Sequence, residues 1–475
     1  MKKIVYLLVL PILLFSAEFN ALENLTLKEA EKIVKRDNLE INIAKFDERV
    51  KALELRAAKG YNYGSLDLTQ IFMRSNDALN VFGAKLMSRE ANFADFGFSD
   101  FLGAIGNAAA YSGGNFGTFS NLLGSSADQV LAIEPKDLNY PGYRNLFQTK
   151  LTYKLPIYTG GKLTQYRKIA KNMIKMSNLN SKKVIAEKLF QTKKSFFDIS
   201  LLDSYIKNLN IIIKNMDILE NTVKSMMQEG YAKHIDLLEV QAKKSNVLRM
   251  LNQAKANREL AYQFLSFLLN QDVKSIIHVD ENRELKEIDK RLMLSKNLDI
   301  QRAKLGLKIS KMAIRLQKAS FLPEVGAFGE FSTADNNFLN DFSKHKAYTV
   351  GVQFKWNIFN GGIDKANLEK ARVTSMKVAK QLELAKKGIA LKIDKTKTEI
   401  KSYQYNIDSL NEELKLSRAI YANYLGRYKE KLVSINDVII KQSQEIERVL
   451  KLEKVKTQKN EKILELEKIA NGDLR

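Results

Sequence analysis

Residues Phe147–Asp236 lie over residues Tyr348–Asp437 at a constant shift of 201, with no gap across the match. At its start Phe147, Leu151, Tyr153 and Leu155 fall on Tyr348, Val352, Phe354 and Trp356, with Thr149 on Val350. Next, Ile157-Tyr-Thr-Gly160-Gly161 falls on Ile358-Phe-Asn-Gly361-Gly362, and at the end Gly230–Asp236 falls on Lys431–Asp437. Upstream, Asn38-Leu-Glu-Ile41 matches Asn297-Leu-Asp-Ile300 at a shift of 259, so the first copy carries 58 additional residues. They fall within 74–146, whose counterpart is the short 333–347. A chain built of two copies of one plan must fold as two similar halves, here 18–270 and 271–475, with an insertion in the first.

The five prolines, at 11, 135, 141, 156 and 323, leave residues 157–322 and 324–475 free of that helix breaker. Each copy reads as helix, strand, loop, strand, long helix, turn, helix. Lys162–Glu229 and Ile363–Glu430 are each helix-compatible without interruption, about 100 Å at 1.5 Å per residue. In the first, Ile199, Leu202, Ile206, Leu209, Ile213, Met216, Leu219, Val223 and Met226 step by three and four, the spacing of a coiled-coil seam. The flanking helices Leu25–Lys59 and Asp236–Asn270 are half as long, so two of them end to end match one long helix. The second copy supplies Asp437–Ala470 and a helix around Glu284–Ser320. A solid coiled coil fits the seam, whereas the broad Lys- and Gln-rich faces suit a wall wetted on one side.

The segments 147–155 and 348–356 alternate apolar and polar residues with period two and end in aromatics. Nine or ten such residues have the size and pattern of a lipid-exposed barrel strand, and a half-buried strand of an ordinary sheet alternates in the same way. The preceding strands, Tyr61–Met73 and Val325–Thr333, alternate less cleanly. Gly160, Gly161, Gly361 and Gly362 supply the backbone freedom of a sharp strand-to-helix turn, with Thr159 and Asn360 as caps. The run Gly160-Gly161-Lys162-Leu163 lacks the spacing, and the Ser or Thr after lysine, of a phosphate loop.

Lys2 and Lys3 precede the apolar run Ile4 to Phe15 and the small pair Ser16-Ala17, which predicts a secretory signal over residues 1–17. Twelve apolar residues fall short of the roughly 20 of a membrane-spanning helix. The absence of cysteine excludes disulfide scaffolds, thiolate metal sites and an acylated lipoprotein anchor. His234, His278 and His345 are scattered without a second ligand at i+3 or i+4, and neither G-x-S-x-G nor H-E-x-x-H occurs. No catalytic residue, metal site or cofactor is expected.

The order of elements, the duplication, the joins Pro156-Ile-Tyr-Thr-Gly-Gly161 and Ile358-Phe-Asn-Gly-Gly362, and the start Leu25-Thr-Leu-Lys-Glu-Ala-Glu31 resemble the TolC-family outer-membrane efflux proteins. The resemblance covers nearly the whole mature chain except the insertion, and its specificity lies in order and spacing. It implies an α+β membrane protein, a homotrimer in which each protomer gives four strands to a shared twelve-stranded β-barrel in the outer membrane. An α-helical coiled-coil tunnel would continue into the periplasm. It implies the exit duct of a tripartite efflux or type I secretion system, coupled through a periplasmic adaptor to an inner-membrane pump. Phe147, Leu151, Tyr153, Leu155, Tyr348, Val350, Val352, Phe354 and Trp356 would then face lipid.

By the same resemblance the turns at 228–238 and 429–439 are the periplasmic entrance. Asp236 and Asp437 would ring the aperture, and Gly230, Tyr231, Lys233, Lys431, Leu432 and Ser434 would form tips where the adaptor docks. Three inward carboxylates in a narrow ring repel one another and bind cations. Helix capping is the compatible local role, since Ser434 with Asp437 three residues on is a capping-box pair. Lys431 in place of glycine, and Ile440 where some members place a second acid, depart from the family pattern.

The insertion 74–146 holds seven Phe and nine Gly and is net −2. Between two barrel strands it would project outside the cell, folding over the pore, touching lipopolysaccharide or binding a partner. The mature chain carries +21, so the remainder outside the insertion carries +23, which solvated helix faces explain better than nucleic-acid binding. Two other functions stand beside the duct: a periplasmic coiled-coil structural or adaptor protein, and an outer-membrane adhesin or receptor using the insertion.

Overall fold

The structure, a computed structural model, describes residues 21–125, 127–279, 289–338 and 344–471; the signal segment 1–17 lies outside them. In chain order the elements are α1 (Leu27–Asp37), α2 (Leu39–Gly60), β1 (Ser65–Ser75), α3 (Ala78–Met87), α4 (Phe98–Tyr111), α5 (Phe116–Ser125), α6 (Ala127–Leu131) and α7 (Lys136–Asn139). There follow β2 (Arg144–Thr159), α8 (Lys162–Gln228), α9 (His234–Leu269), α10 (Lys290–Lys296), α11 (Leu298–Lys318), β3 (Glu324–Asp335), β4 (Lys346–Lys355), α12 (Ile363–Lys429) and α13 (Ile435–Ile469). Single 3-10 turns occupy 61–63, 93–96 and 319–321. The chain divides into two units, Met1–Leu53 with Lys171–Lys311 and Val373–Arg475, and Glu54–Ala170 with Met312–Arg372.

The first unit is helical. The two long helices α8 and α12 are 67 residues each, unbroken as the proline-free intervals require, and α9 and α13 are 36 and 35. Seven of the nine seam residues of α8 are buried; Leu202 and Ile213 are half-buried, and Ile212 takes the buried place beside Ile213. Leu209, Met216, Leu219 and Val223 of α8 pack with Val240 and Val247 of α9, Tyr421 and Tyr428 of α12, and Val438 of α13.

The helix expected over Leu25–Lys59 is broken at Asn38, and the one expected around Glu284–Ser320, of which 284–288 lie outside the described residues, is broken at Asn297. At the first break the Asn38 side-chain amide donates to Leu268 O at 2.8 Å, and its oxygen accepts from Ile41 N at 3.1 Å. Asn297 does the same with Ile469 O at 3.0 Å and Ile300 N at 3.1 Å. Each asparagine therefore caps a new helix start and satisfies a carbonyl at the end of α9 or α13. The start of α1 is fixed by a capping box, with Glu29 N donating to Thr26 Oγ1 at 3.2 Å and Thr26 N donating to the Glu29 carboxylate at 3.1 Å.

The second unit holds a four-stranded antiparallel sheet in the order β1-β2-β3-β4. The register pairs Leu66 with Tyr153, Leu68 with Leu151 and Phe72 with Phe147, then Leu151 with Phe331 and Leu155 with Ala327. It goes on to pair Phe331 with Tyr348, Ala327 with Val352 and Val325 with Phe354. All of these therefore share one face, since side chains alternate along a strand. Gln70 and Thr149 form a polar pair on it, joined at 2.6 Å. The opposite face carries Asp67, Lys150, Lys154, Glu330 and Lys355, with a Lys150–Glu330 ion pair at 2.9 Å.

Three sequence expectations shift here. Trp356 lies just beyond β4, where its indole donates to Phe321 O at 3.2 Å. Pro156 lies inside β2 at a register shift, because a bulge relieves the ladder of the missing donor. The 74–146 insertion, read as a long loop, folds into α3 to α7, with Asp77 accepting from Asn80 N at 3.0 Å to cap α3.

Candidate functional site

Three places carry the residues singled out from the sequence. The first is the apolar sheet face, where Tyr348 is 81% and Val350 78% exposed and Leu151 and Tyr153 are also open to solvent. Phe147 and Leu155 are half-buried, Phe147 against Phe72 at a centroid distance of 4.7 Å. An exposed apolar patch on this scale marks a surface that something covers. Strands β1 and β4 are edges, each paired on one side only among the described residues.

The second is the pair of glycine turns. Gly160, Gly161, Gly361 and Gly362 all have positive φ, between 61° and 87°. At Gly160 a Cβ would lie 2.6 Å from Ala319 O, so the turn excludes any side chain on steric as well as conformational grounds. Thr159 Oγ1 accepts from Leu163 N at 3.4 Å, and Asn360 Oδ1 from Asp364 N at 3.4 Å, to start α8 and α12.

The third is the pair of hairpin tips, α8 to α9 and α12 to α13. Gly230 turns the first tip at φ 82°, and Lys431 takes the same left-handed conformation in the second at φ 65°, an unusual position for a side-chain-bearing residue. Tyr231 N donates to Met226 O at 2.8 Å and Leu432 N to Arg427 O at 2.9 Å, so both tips close with the same six-residue loop. Lys233 N donates to Asp236 Oδ2 at 2.8 Å. Ser434 N and Oγ donate to Asp437 Oδ2 at 3.0 and 2.6 Å, and Asp437 N returns a bond to Ser434 Oγ at 3.3 Å. Both aspartates are thus engaged as caps. Hydrogen bonds from the Ser434 side chain and backbone hold the Asp437 carboxyl below the usual carboxylate range. Burial pushes the Tyr428 phenol up, helped by the charge of Asp236.

One contact at the tips was not read from the sequence. Lys431 Nζ stands 3.0 Å from the centre of the Tyr231 ring, a cation–π pair that joins the two tips. The lysine replacing glycine at position 431 was the visible signal, and only the fold brings the two tips together. Tyr231 and Leu432 are otherwise exposed, as are Ile235, Leu238 and Ile440. The histidines remain apart: His234 opens α9, His278 Nε2 lies 3.5 Å from Asp203, and His345 Nδ1 lies 3.0 Å from Asp335.

No helix among the described residues is long and apolar enough to cross a membrane. Residues 291–472 match the outer membrane efflux protein family. No curated protein matches the chain by sequence. Among solved structures, the CmeC outer membrane channel of Campylobacter jejuni aligns at a TM-score of 0.72 and 15% identity, over 96% of this chain and 90% of that one. The outer membrane protein VceC of Vibrio cholerae aligns at 0.73 and 12% identity, over 94% and 97%. The MtrE outer membrane channel of Neisseria gonorrhoeae, in its open state, aligns at 0.71 and 14% identity, over 94% and 89%. The chain thus has, over nearly its whole length, the fold of TolC-family outer-membrane channels. Its second copy carries the sequence match to the outer membrane efflux protein family.

Proposed function

We propose that the chain is the outer-membrane exit duct of a tripartite efflux or type I secretion system, a passive conduit whose energy comes from an inner-membrane pump. Three copies would build a twelve-stranded barrel in the outer membrane and a helical tunnel in the periplasm, each copy contributing the two structural repeats 18–270 and 271–475. The observation that carries this reading is the four-stranded sheet with one exposed apolar face and two free edges. A spanning sheet must leave no unpaired backbone in lipid, so four strands can serve only by closing on other copies. Phe147, Leu151, Tyr153, Leu155, Tyr348, Val350, Val352 and Phe354 then meet hydrocarbon, with Trp356 at its border. The hairpin tips form the periplasmic entrance. Asp236 and Asp437 line it while capping their helices, and exposed Tyr231, Lys233 and Leu432 offer the adaptor a surface.

Closure can be tested at the edges, because the chain has no cysteine of its own. A double variant Leu68→Cys, Val350→Cys places one thiol on the apolar face of each edge strand. A short bis-maleimide applied in membranes should yield a covalent ladder that stops at three chains. A ladder that continues past three, or no ladder at all, contradicts the barrel.

A further inference from the structure

The inserted segment is anchored to the face of the sheet opposite the exposed apolar one. Val81 and Ala84 of α3 are buried, Ala84 among Leu146 and Ala334 with Met73 alongside, and these three strand residues all project from the polar face. Arg144, on the same face, ion-pairs with Glu90 and donates to Ser88 Oγ at 2.8 Å at the end of α3. Gly97, at φ 80°, lies tightly against Pro135, and Lys136 N donates to Asp100 Oδ2 at 3.1 Å, which closes the segment into a loop stapled at its base.

Among the described residues, what lies beyond that staple has no buried apolar side chain. No residue of α5 or α6 is buried, nor is any of α4. Yet from Phe98 to Ser125 Asp100 is the sole charged residue, and Phe98, Leu102, Tyr111 and Phe116 stand exposed. Helices this apolar and this bare need a covering surface.

Resting on the duct reading above, we infer that the surface is the same segment of the other two copies: α4 and α5 of three protomers pack together across the pore axis and narrow its outer mouth. With the apolar face toward lipid, the polar face that anchors α3 is the barrel interior, so the inserted helices lie on the inner side. Twelve strands spaced about 4.8 Å and tilted about 40° enclose a ring roughly 24 Å across between backbones. Helices about 10 Å wide, one group from each of three copies, fill an opening of that size. A foreign partner or the lipopolysaccharide surface would instead require the bare helices to turn outward, away from the face that holds their root.

Two experiments on the full chain decide this. Single variants Leu102→Cys and Phe116→Cys, treated with a short bis-maleimide in membranes, should each give cross-linked pairs of chains, while Leu68→Cys alone gives none. Excising 98–134 and joining Gly97 to Pro135 spans little distance, since Pro135 Cα lies 3.0 Å from where a Cβ on Gly97 would sit. That variant should conduct several-fold more than the intact chain in planar bilayers. Absence of cross-links at both inserted cysteines, or equal conductance with and without 98–134, overturns the plug. Absence of any channel from both chains overturns the duct reading itself.

Discussion

Lys431 holds a left-handed backbone that glycine adopts without strain, and it spans the gap to Tyr231 from that position. The strain and the contact oppose each other. Lys431→Gly relieves the first and deletes the second, whereas Tyr231→Ala deletes the contact alone. If the pair ties the two tips together, both variants raise single-channel conductance, and Tyr231→Ala also lowers thermal stability; unchanged conductance in both would remove the pair from any part in the entrance. Asp437 gives a signed pH effect. Its carboxyl is held low by Ser434, so the cap is intact above the ordinary carboxylate pKa and is lost as pH falls through the lower folded value. Amide exchange at the first turn of α13 should accelerate on acidification, and Ser434→Ala should flatten that dependence. The caps were legible as Ser434 and Asp437 three residues apart. The Tyr231 pairing was not, because no local spacing connects residues 200 positions apart in sequence.

At the scale of elements, the duplicated positions Asp217 and Lys244 become Arg418 and Glu445 in the second copy. The first pair joins α8 to α9 at 2.7 Å and the second joins α12 to α13 at 3.3 Å, with the charges exchanged. Partnering α8 with α13, or α12 with α9, would set like charges together, so the exchange favours pairing within each copy. Lys244→Glu should cost about 1 kcal/mol, and adding Asp217→Arg should recover part of it, since Lys244 also pairs with Glu220 at 2.9 Å, as read by thermal denaturation of single and double variants. Glu220, beside Lys224 and Lys244, is held down to about 2, so its contribution is present above pH 4 to 5 and disappears as pH falls toward 2. Burial pushes the Tyr421 hydroxyl up to about 12, and it finds no protein partner, so Tyr421→Phe should be neutral or stabilising by about 1 kcal/mol. Asn38→Ala and Asn297→Ala should each destabilise by about 2 kcal/mol, because each removes a cap and orphans a buried carbonyl. Helix lengths were readable from the proline-free intervals. The breaks at Asn38 and Asn297 were visible only as a repeated tetrapeptide, because the apolar spacing runs on through them and the partner carbonyl comes from another helix.

For the molecule as a whole, the duplication and the alternating strands specified two matching sets of helices and one sheet, and the register then put most of the exposed large apolar side chains of the four strands on one face. The inserted segment was the part least open to reading from sequence. Its glycines and phenylalanines suit a loop as well as helices, and its anchoring rests on the cross-strand positions of Leu146 and Ala334. The proposed barrel needs several copies of this sheet to close together and conduct. Its most direct test is to purify the full-length protein in detergent, count chains by chemical cross-linking, and record current after reconstitution in a planar bilayer. A trimer that opens stable, ohmic steps is expected; a monomer that leaves the bilayer silent would rule the barrel out.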